Sequence, residues 1–244
     1  MSEKISNISK YLDSTFLKTA VELEISNKEL ETKNLEFINQ AIDCNFKCVM
    51  LRPKFVSLAK KIISDRKSKV NVGTVIDFPL GDADLKVKLK ETALVIKDGA
   101  DELDFVCDYN RFKMGEYDYF DNSIVNCTRT GVERKKIIKW IIETGALSKN
   151  EIKLISKRIY DLVLKNFSHD LSKIFLKTST GYYGGFGATI SDVKTIRLIV
   201  SKMPIKASGG VSDLKSCLRM IEAGASRIGT SKALIIYNEW KAQN

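Results

Sequence analysis

Histidine is almost missing from this chain: His169 is the only one in 244 residues. It lies in Ser168-His169-Asp170, just ahead of a strand-like run, at the end of the expected fold opposite the chemistry, and reads as structural or solvent-facing. Catalysis by imidazole is therefore not expected. The five cysteines, Cys44, Cys48, Cys107, Cys127 and Cys217, form an odd set without a CxxC pair. That excludes a disulfide framework and a zinc site of the usual spacing. Only three prolines are present, and no low-complexity stretch reads as a linker, so residues 1–244 are expected to form a single domain. No apolar run reaches the length of a membrane span, and no basic-then-apolar start resembles a signal peptide. A reducing, cytoplasmic setting without membrane association is expected.

What the chain holds in excess is positive charge. Lysine and arginine total 40 against 30 acids, a formal net charge of +10, and a basic balance raises nucleic acid as a partner. The distribution argues against it. Lysines mix with acids along stretches such as Lys86-Val87-Lys88-Leu89-Lys90-Glu91, and no basic tract is interleaved with aromatics. A lysine-rich solvated surface accounts for the charge, and no nucleic-acid partner is expected.

Short apolar or β-rich runs alternate with longer segments of helical period, the pattern of a parallel sheet covered by helices. Strands are expected at residues 11–14, 48–51, 70–76, 102–107, 137–142, 173–178, 205–208 and 227–229. Helices are expected at 34–45, 54–65, 84–97, 149–166, 190–201 and 213–223. Gly99 and Gly224 fall just after helices and before strands, where a glycine caps a helix end. Eight strand-helix units suit an α/β fold of the TIM-barrel type, (β/α)8, better than a doubly wound sheet. Such barrels do chemistry at the carboxyl ends of their strands. There the sequence places Asp13, Arg52, Asp77, Asp104, Glu143, Lys177 and Lys206, which are expected to converge on one pocket.

Lys177 and Lys206, 29 residues apart, close two successive apolar runs. A buried lysine needs a partner or a function. On neighbouring strands the two ammonium groups repel, which lowers the pKa of each toward neutrality and makes an amine nucleophilic toward a carbonyl. Asp104 stands two residues from Glu102, so both carboxylates face the barrel interior while Asp101 and Leu103 face the helices; Asp104 is placed to bind a lysine or a water in proton transfer. Gly209-Gly210 and Gly229-Thr230-Ser231 follow the seventh and eighth strands, where barrels bind phosphate on backbone N–H groups, so a phosphorylated substrate is expected. The cluster Tyr117-Asp118-Tyr119-Phe120 reads as packing a helix onto the barrel.

These residues fall in motifs by which the chain resembles the deoxyribose-phosphate aldolases: Val75-Ile76-Asp77-Phe78-Pro79-Leu80-Gly81, Lys97-Asp98-Gly99-Ala100-Asp101-Glu102-Leu103-Asp104, Ile141-Ile142-Glu143-Thr144-Gly145, Lys177-Thr178-Ser179-Thr180-Gly181, Lys206-Ala207-Ser208-Gly209-Gly210 and Ala225-Ser226-Arg227-Ile228-Gly229-Thr230-Ser231. The motifs run in order along the chain from Val75 to Ser231. The resemblance implies a Schiff base on Lys177, with Lys206 lowering its pKa and sharing a proton relay with Asp104. It assigns substrate and phosphate contacts to Asp13, Thr178, Gly181, Gly209, Gly210, Val211, Gly229, Thr230, Ser231 and Lys232. The implied reaction is reversible cleavage of 2-deoxy-D-ribose 5-phosphate to D-glyceraldehyde 3-phosphate and acetaldehyde in deoxyribonucleoside catabolism. No metal and no organic cofactor are implied, and a homodimer is left open as the assembly.

The chain departs from the family pattern at several positions. Asp13-Ser14-Thr15 stands where Asp-His-Thr is usual, Met50 where a cysteine is often found, Ser212 where an arginine is common and Lys232 where a serine is expected; residues 237–244 carry no terminal tyrosine. Lys232 is expected to restore the positive charge lost at Ser212. Two other readings stay open at this point. One is a different Schiff-base barrel aldolase or transaldolase acting on another phosphorylated substrate, and the other is a catalytically silent barrel serving as a basic binding module.

Overall fold

The computed structural model describes residues 5–243, and the sequence readings of the two chain ends fall partly on residues outside that range. Eight strands run parallel and close on themselves in chain order. They are β1 (Leu12–Phe16), β2 (Cys48–Leu51), β3 (Asn71–Ile76), β4 (Glu102–Val106), β5 (Ile137–Ile141), β6 (Ile174–Lys177), β7 (Ile205–Ser208) and β8 (Arg227–Thr230). Each strand pairs with the next and β8 pairs with β1, so the chain forms the (β/α)8 barrel expected. The first strand is displaced from its expected 11–14 because Ile8–Tyr11 form a 3-10 turn capped by the Asn7 side chain.

The helices are α1 (Ala20–Leu23), α2 (Asn27–Asp43), α3 (Val56–Asp65), α4 (Leu85–Lys97), α5 (Tyr109–Lys113), α6 (Tyr117–Glu133), α7 (Lys149–Phe167), α8 (Ile190–Ile199), α9 (Leu214–Glu222) and α10 (Ala233–Ala242). The second begins well before the expected residue 34. Ser26 and Glu29 form a capping box there, each side chain satisfying the other's backbone N–H and giving a polar first turn a firm start. The Tyr117–Phe120 cluster does anchor a helix: Phe120 is buried at the start of α6.

Alternation along the strands divides the molecule into two interiors. Outward residues such as Val49, Leu51, Leu103, Phe105, Ile138 and Trp140 join one apolar core with the helices. Trp140 stacks on Phe105 at 5.0 Å and donates its indole N–H to Thr128 of α6 at 3.0 Å. Truncating such a buried Trp to Ala costs about 3–5 kcal/mol. Inward residues fill the barrel itself and differ by side. Near β2 and β3 they are apolar, with Leu17, Cys48, Met50 and Val75 forming a separate cluster. Around β4 to β8, and at Asp13 of β1, they include a layer of charged groups.

Candidate active site

The register of the strands builds this charged layer. Asp104 lies opposite Lys139, Lys177 opposite Lys206, and Lys206 opposite Arg227. Because inward positions of neighbouring strands lie side by side, the side chains meet in the barrel axis. Asp104 sits among three lysines: its Oδ1 is 2.6 Å from Lys139, and its Oδ2 is 2.8 Å from Lys177 and 2.9 Å from Lys206. Below it, Lys139 reaches Glu102 at 2.6 Å, and Lys206 lies 2.7 Å from Asp13 Oδ2 in an ion pair outside hydrogen-bond geometry. Arg227 joins the two lower carboxylates, donating its Nε to Asp13 at 2.6 Å and its Nη2 to Glu102 at 3.0 Å. All seven groups are buried. Gly229 makes room for this layer, because a Cβ there would stand 2.8 Å from the Lys206 Cε.

These partners set the charge on each group. At Lys177, burial is the largest influence and disfavours the ammonium; Asp104 pulls the other way, and Lys206 and then Lys139 repel it. The balance lowers its pKa from 10.5 to about 8. Repulsion by Lys206 was expected to dominate, but loss of hydration contributes more. At Asp104, burial alone favours the neutral acid, but Lys139, Lys177 and Lys206 together hold the carboxyl well below its usual range. At Glu102, burial is likewise outweighed by Lys139 and Arg227, which bring it to about 2.

Lys177 is the member of this layer that lines a cavity of about 330 Å3, at its floor. Its walls include Leu17, Lys18, Thr180, Gly181 and Tyr182, together with Gly209, Gly210 and Val211 after β7 and Gly229, Thr230, Ser231 and Lys232 at the end of β8. The two glycine loops are tied together by Thr230, whose hydroxyl donates to the Val211 carbonyl at 2.6 Å. The β6 and β7 loops also touch closely: a Cβ on Gly187 would come within 2.4 Å of the Gly209 carbonyl group.

Two of the residues assigned to substrate contact lie elsewhere. Asp13 is fully buried below Lys206 and faces Arg227, so it belongs to the ionic floor rather than to the cavity wall. Thr178 is also buried; its Oγ1 donates to the Ser208 carbonyl and accepts from the Ser208 N–H, tying β6 to β7 beside the cavity. The expectation that seven strand-end groups converge on one pocket needs correction too. Asp77 pairs with the buried Lys88 at 3.1 Å under the β3–α4 loop, while Arg52 and Glu143 brace loops at the rim. His169 is exposed in the turn before β6, as expected.

Sequence reasoning missed Lys139 and Arg227. A signal for Lys139 was present, since a lone lysine in Ile137-Ile138-Lys139-Trp140-Ile141 must face inward if its neighbours face the helices. A metal has little place in the layer. Asp13, Cys48 and Glu102 bring ligand atoms within 4.8 Å of one another, yet both carboxylates already face cationic side chains. Burial also pushes the Cys48 thiol well above its usual pKa, away from the thiolate a metal requires.

Known proteins resemble this chain in sequence and fold. No family model matches the chain. The chain is 37% identical over 231 residues to the deoxyribose-phosphate aldolase of Thermococcus gammatolerans, covering 94% of this chain and 95% of the relative. It is 37% identical over 243 residues to that of Caldanaerobacter subterraneus subsp. tengcongensis, covering 99% of this chain and 96% of the relative. Among solved structures, one described as QR15, an aldolase, superposes with a TM-score of 0.82 at 33% identity and covers 98% of each chain. The deoxyribose phosphate aldolase of Aeropyrum pernix superposes with a TM-score of 0.79 at 25% identity, covering 97% of this chain and 92% of that one, and is described as a unique tetramer. Such identity over nearly the full length of these relatives, on the same barrel, places the chain in the deoxyribose-phosphate aldolase family, and it is an aldolase, a carbon–carbon lyase.

Proposed function

We propose that the chain acts as one barrel domain that cleaves 2-deoxy-D-ribose 5-phosphate reversibly to D-glyceraldehyde 3-phosphate and acetaldehyde, through a Schiff base on Lys177. The observation that carries this reading is a lysine with a pKa near 8 at the floor of a cavity, bonded to one carboxylate that it shares with a second lysine. At neutral pH a useful fraction of Lys177 is then free amine, the form that attacks a carbonyl.

In this mechanism the Lys177 Nζ adds to C1 of the open-chain sugar, and loss of water leaves a protonated imine. A base takes the proton from the C3 hydroxyl, the C2–C3 bond breaks, and its electron pair moves into the imine to form an enamine. Glyceraldehyde 3-phosphate departs as the C3 aldehyde. Protonation of the enamine carbon and hydrolysis of the imine then release acetaldehyde and restore the amine. Asp104 and Lys206 are the groups positioned to pass these protons, through water where the distance requires it.

The cavity wall formed by Gly181, Gly209, Gly210, Val211, Gly229, Thr230, Ser231 and Lys232 is assigned to the substrate and its phosphate, with backbone N–H groups and the Lys232 ammonium as donors. The mechanism draws on no metal or organic cofactor, because the protonated imine is itself the electron sink. A role in deoxyribonucleoside catabolism and a cytoplasmic location follow from this substrate; no helix among the described residues is long and apolar enough to cross a membrane. Borohydride reduction in the presence of acetaldehyde tests the assignment. A reduced adduct is expected on Lys177, and an unmodified Lys177 in an enzyme that turns over would overturn it.

A further inference from the structure

We infer that Glu143 is a positioning residue that fixes one wall of the substrate cavity through Thr180, and so contributes to substrate affinity; the inference rests on the aldolase reading for its substrate. Glu143 follows β5 with φ +56°, a left-handed conformation that is costly for a residue with a Cβ. Its carboxylate is buried. One oxygen accepts the Thr180 N–H at 3.1 Å and also the Thr180 hydroxyl. The other, Oε1, has no hydrogen-bond partner among the described residues. Burial pushes the pKa of this carboxyl up, so both the backbone and the side chain bear a cost at a residue outside the ionic layer. Costs of that kind persist where they hold something in place.

What Glu143 holds is the start of the β6–α8 loop. The Thr180 hydroxyl donates to Glu143 and accepts the Tyr182 N–H at 3.0 Å. The Tyr182 hydroxyl in turn donates to the Leu17 carbonyl at 3.0 Å, where the Arg52 Nε also donates at 2.8 Å. A continuous line of hydrogen bonds thus runs from the end of β5 across the rim to the loop after β1, and Thr180, Tyr182 and Leu17 all line the cavity. The loop needs such fastening because Gly181, Gly184, Gly185 and Gly187 give its backbone wide freedom. Its returning leg is pinned separately, by the Ala188 N–H on the Ser208 and Gly209 carbonyls. Glu143 secures the outgoing leg, the one that follows Lys177 directly.

The test compares E143A, T180V, their double variant and E143Q, measuring kcat and KM for deoxyribose 5-phosphate beside the melting temperature. E143A and T180V should each raise KM about tenfold with a smaller change in kcat. The double variant should be no worse than the poorer single one, because both break the same link. E143Q, whose amide oxygen still accepts from Thr180, should recover most of the affinity. Should E143A fail to fold, T180V and E143Q carry the comparison. An active wild type with unchanged KM in E143A and T180V, or KM effects that multiply in the double variant, overturns the role of Glu143. A wild type that neither turns over nor traps acetaldehyde on Lys177 overturns the aldolase reading first, and this inference with it.

Discussion

Lys139 and Lys177 stand on adjacent strands, both buried and both bonded to Asp104, yet their surroundings drive them in opposite directions. Lys139, in the lower part of the barrel, touches Asp104 and Glu102 at 2.6 Å and lies 4.0 Å from Asp13. Those carboxylates outweigh the loss of hydration and hold its pKa well above that of an ordinary lysine. Lys177, one layer up, has only Asp104, and shares that same oxygen with Lys206. Burial then wins and its pKa falls to about 8. Burial does not separate the two; the number of carboxylates within reach does. The lower lysine is a fixed counter-ion, and the upper one is free to lose its proton.

Charge balance across the layer points the same way. Lys139, Lys177, Lys206 and Arg227 face Asp13, Glu102 and Asp104, so the seven groups are neutral overall when Lys177 is not protonated. The most severe test removes the amine itself. Lys177→Ala should lower kcat/KM on the order of 10⁴-fold or more, measured as acetaldehyde release. In the wild type, kcat/KM should rise with pH through about 8 as the free amine accumulates. Stability carries the same sign. Between about 8 and 10.5 the unfolded chain keeps a proton on this lysine that the folded chain has lost, so the Lys177 contribution to stability increases with pH across that window. A kcat/KM that stays flat from about pH 7 to about pH 9 would break the comparison.

Asp104→Asn comes next. It leaves three buried lysines without their common anion, so the folded state should lose about 3–5 kcal/mol in denaturant unfolding. Turnover at neutral pH should drop about 100-fold or more, through the lost proton transfer. Lys139→Met sharpens the contrast further, because it strips the lower layer of its counter-ion while retaining volume. Asp104 and Glu102 would then turn to the remaining cations, the Lys177 ammonium would be favoured, and the kcat/KM profile should move to higher pH. A one-unit displacement corresponds to about a tenfold loss at pH 7. A profile that stays in place, or moves to lower pH, would show that Lys139 does not tune the upper lysine.

The outer half of this design was legible in the sequence and the inner half only in part. All eight strands could be located because their helix-facing residues are apolar, and the two glycine loops because their composition is unusual. Lys139 is hard to read from sequence because it sits in mid-strand, away from the strand ends where barrels place their chemistry. Arg227 opens β8 and resembles a solvated strand start, while its partners Asp13 and Glu102 lie 214 and 125 residues away in the chain. Only barrel closure brings them together. Helix α6 is legible in the sequence only at its aromatic start, since Asp121, Asn122, Asn126, Thr128 and Thr130 have low helix propensity. It holds through packing: at Gly131 a Cβ would come within 2.2 Å of Ile138 Cδ1, so the missing side chain lets the helix settle on β5.

The mildest prediction concerns the rim, where charge is exposed and screened rather than buried. Lys232 lines the cavity and its own N–H donates to Thr230 at 2.9 Å, while among the described residues its ammonium has no ion-pair partner. Lys18, the other lysine on this wall, is already engaged with Glu22 at 3.3 Å and lies over the Tyr182 ring. The Lys232 ammonium is therefore the one available to a phosphate, on the side from which Ser212 supplies no charge. Removing it should not disturb the floor, because Lys177 is tuned by groups beneath it. Lys232→Ala should raise KM for deoxyribose 5-phosphate about fivefold, leave the pH at which kcat/KM rises unchanged, and have little effect on unphosphorylated deoxyribose. Added salt should weaken the wild type toward the variant, since an exposed pair is screened and the buried floor is not. Equal losses on both substrates would mean that Lys232 shapes the cavity instead of binding the phosphate.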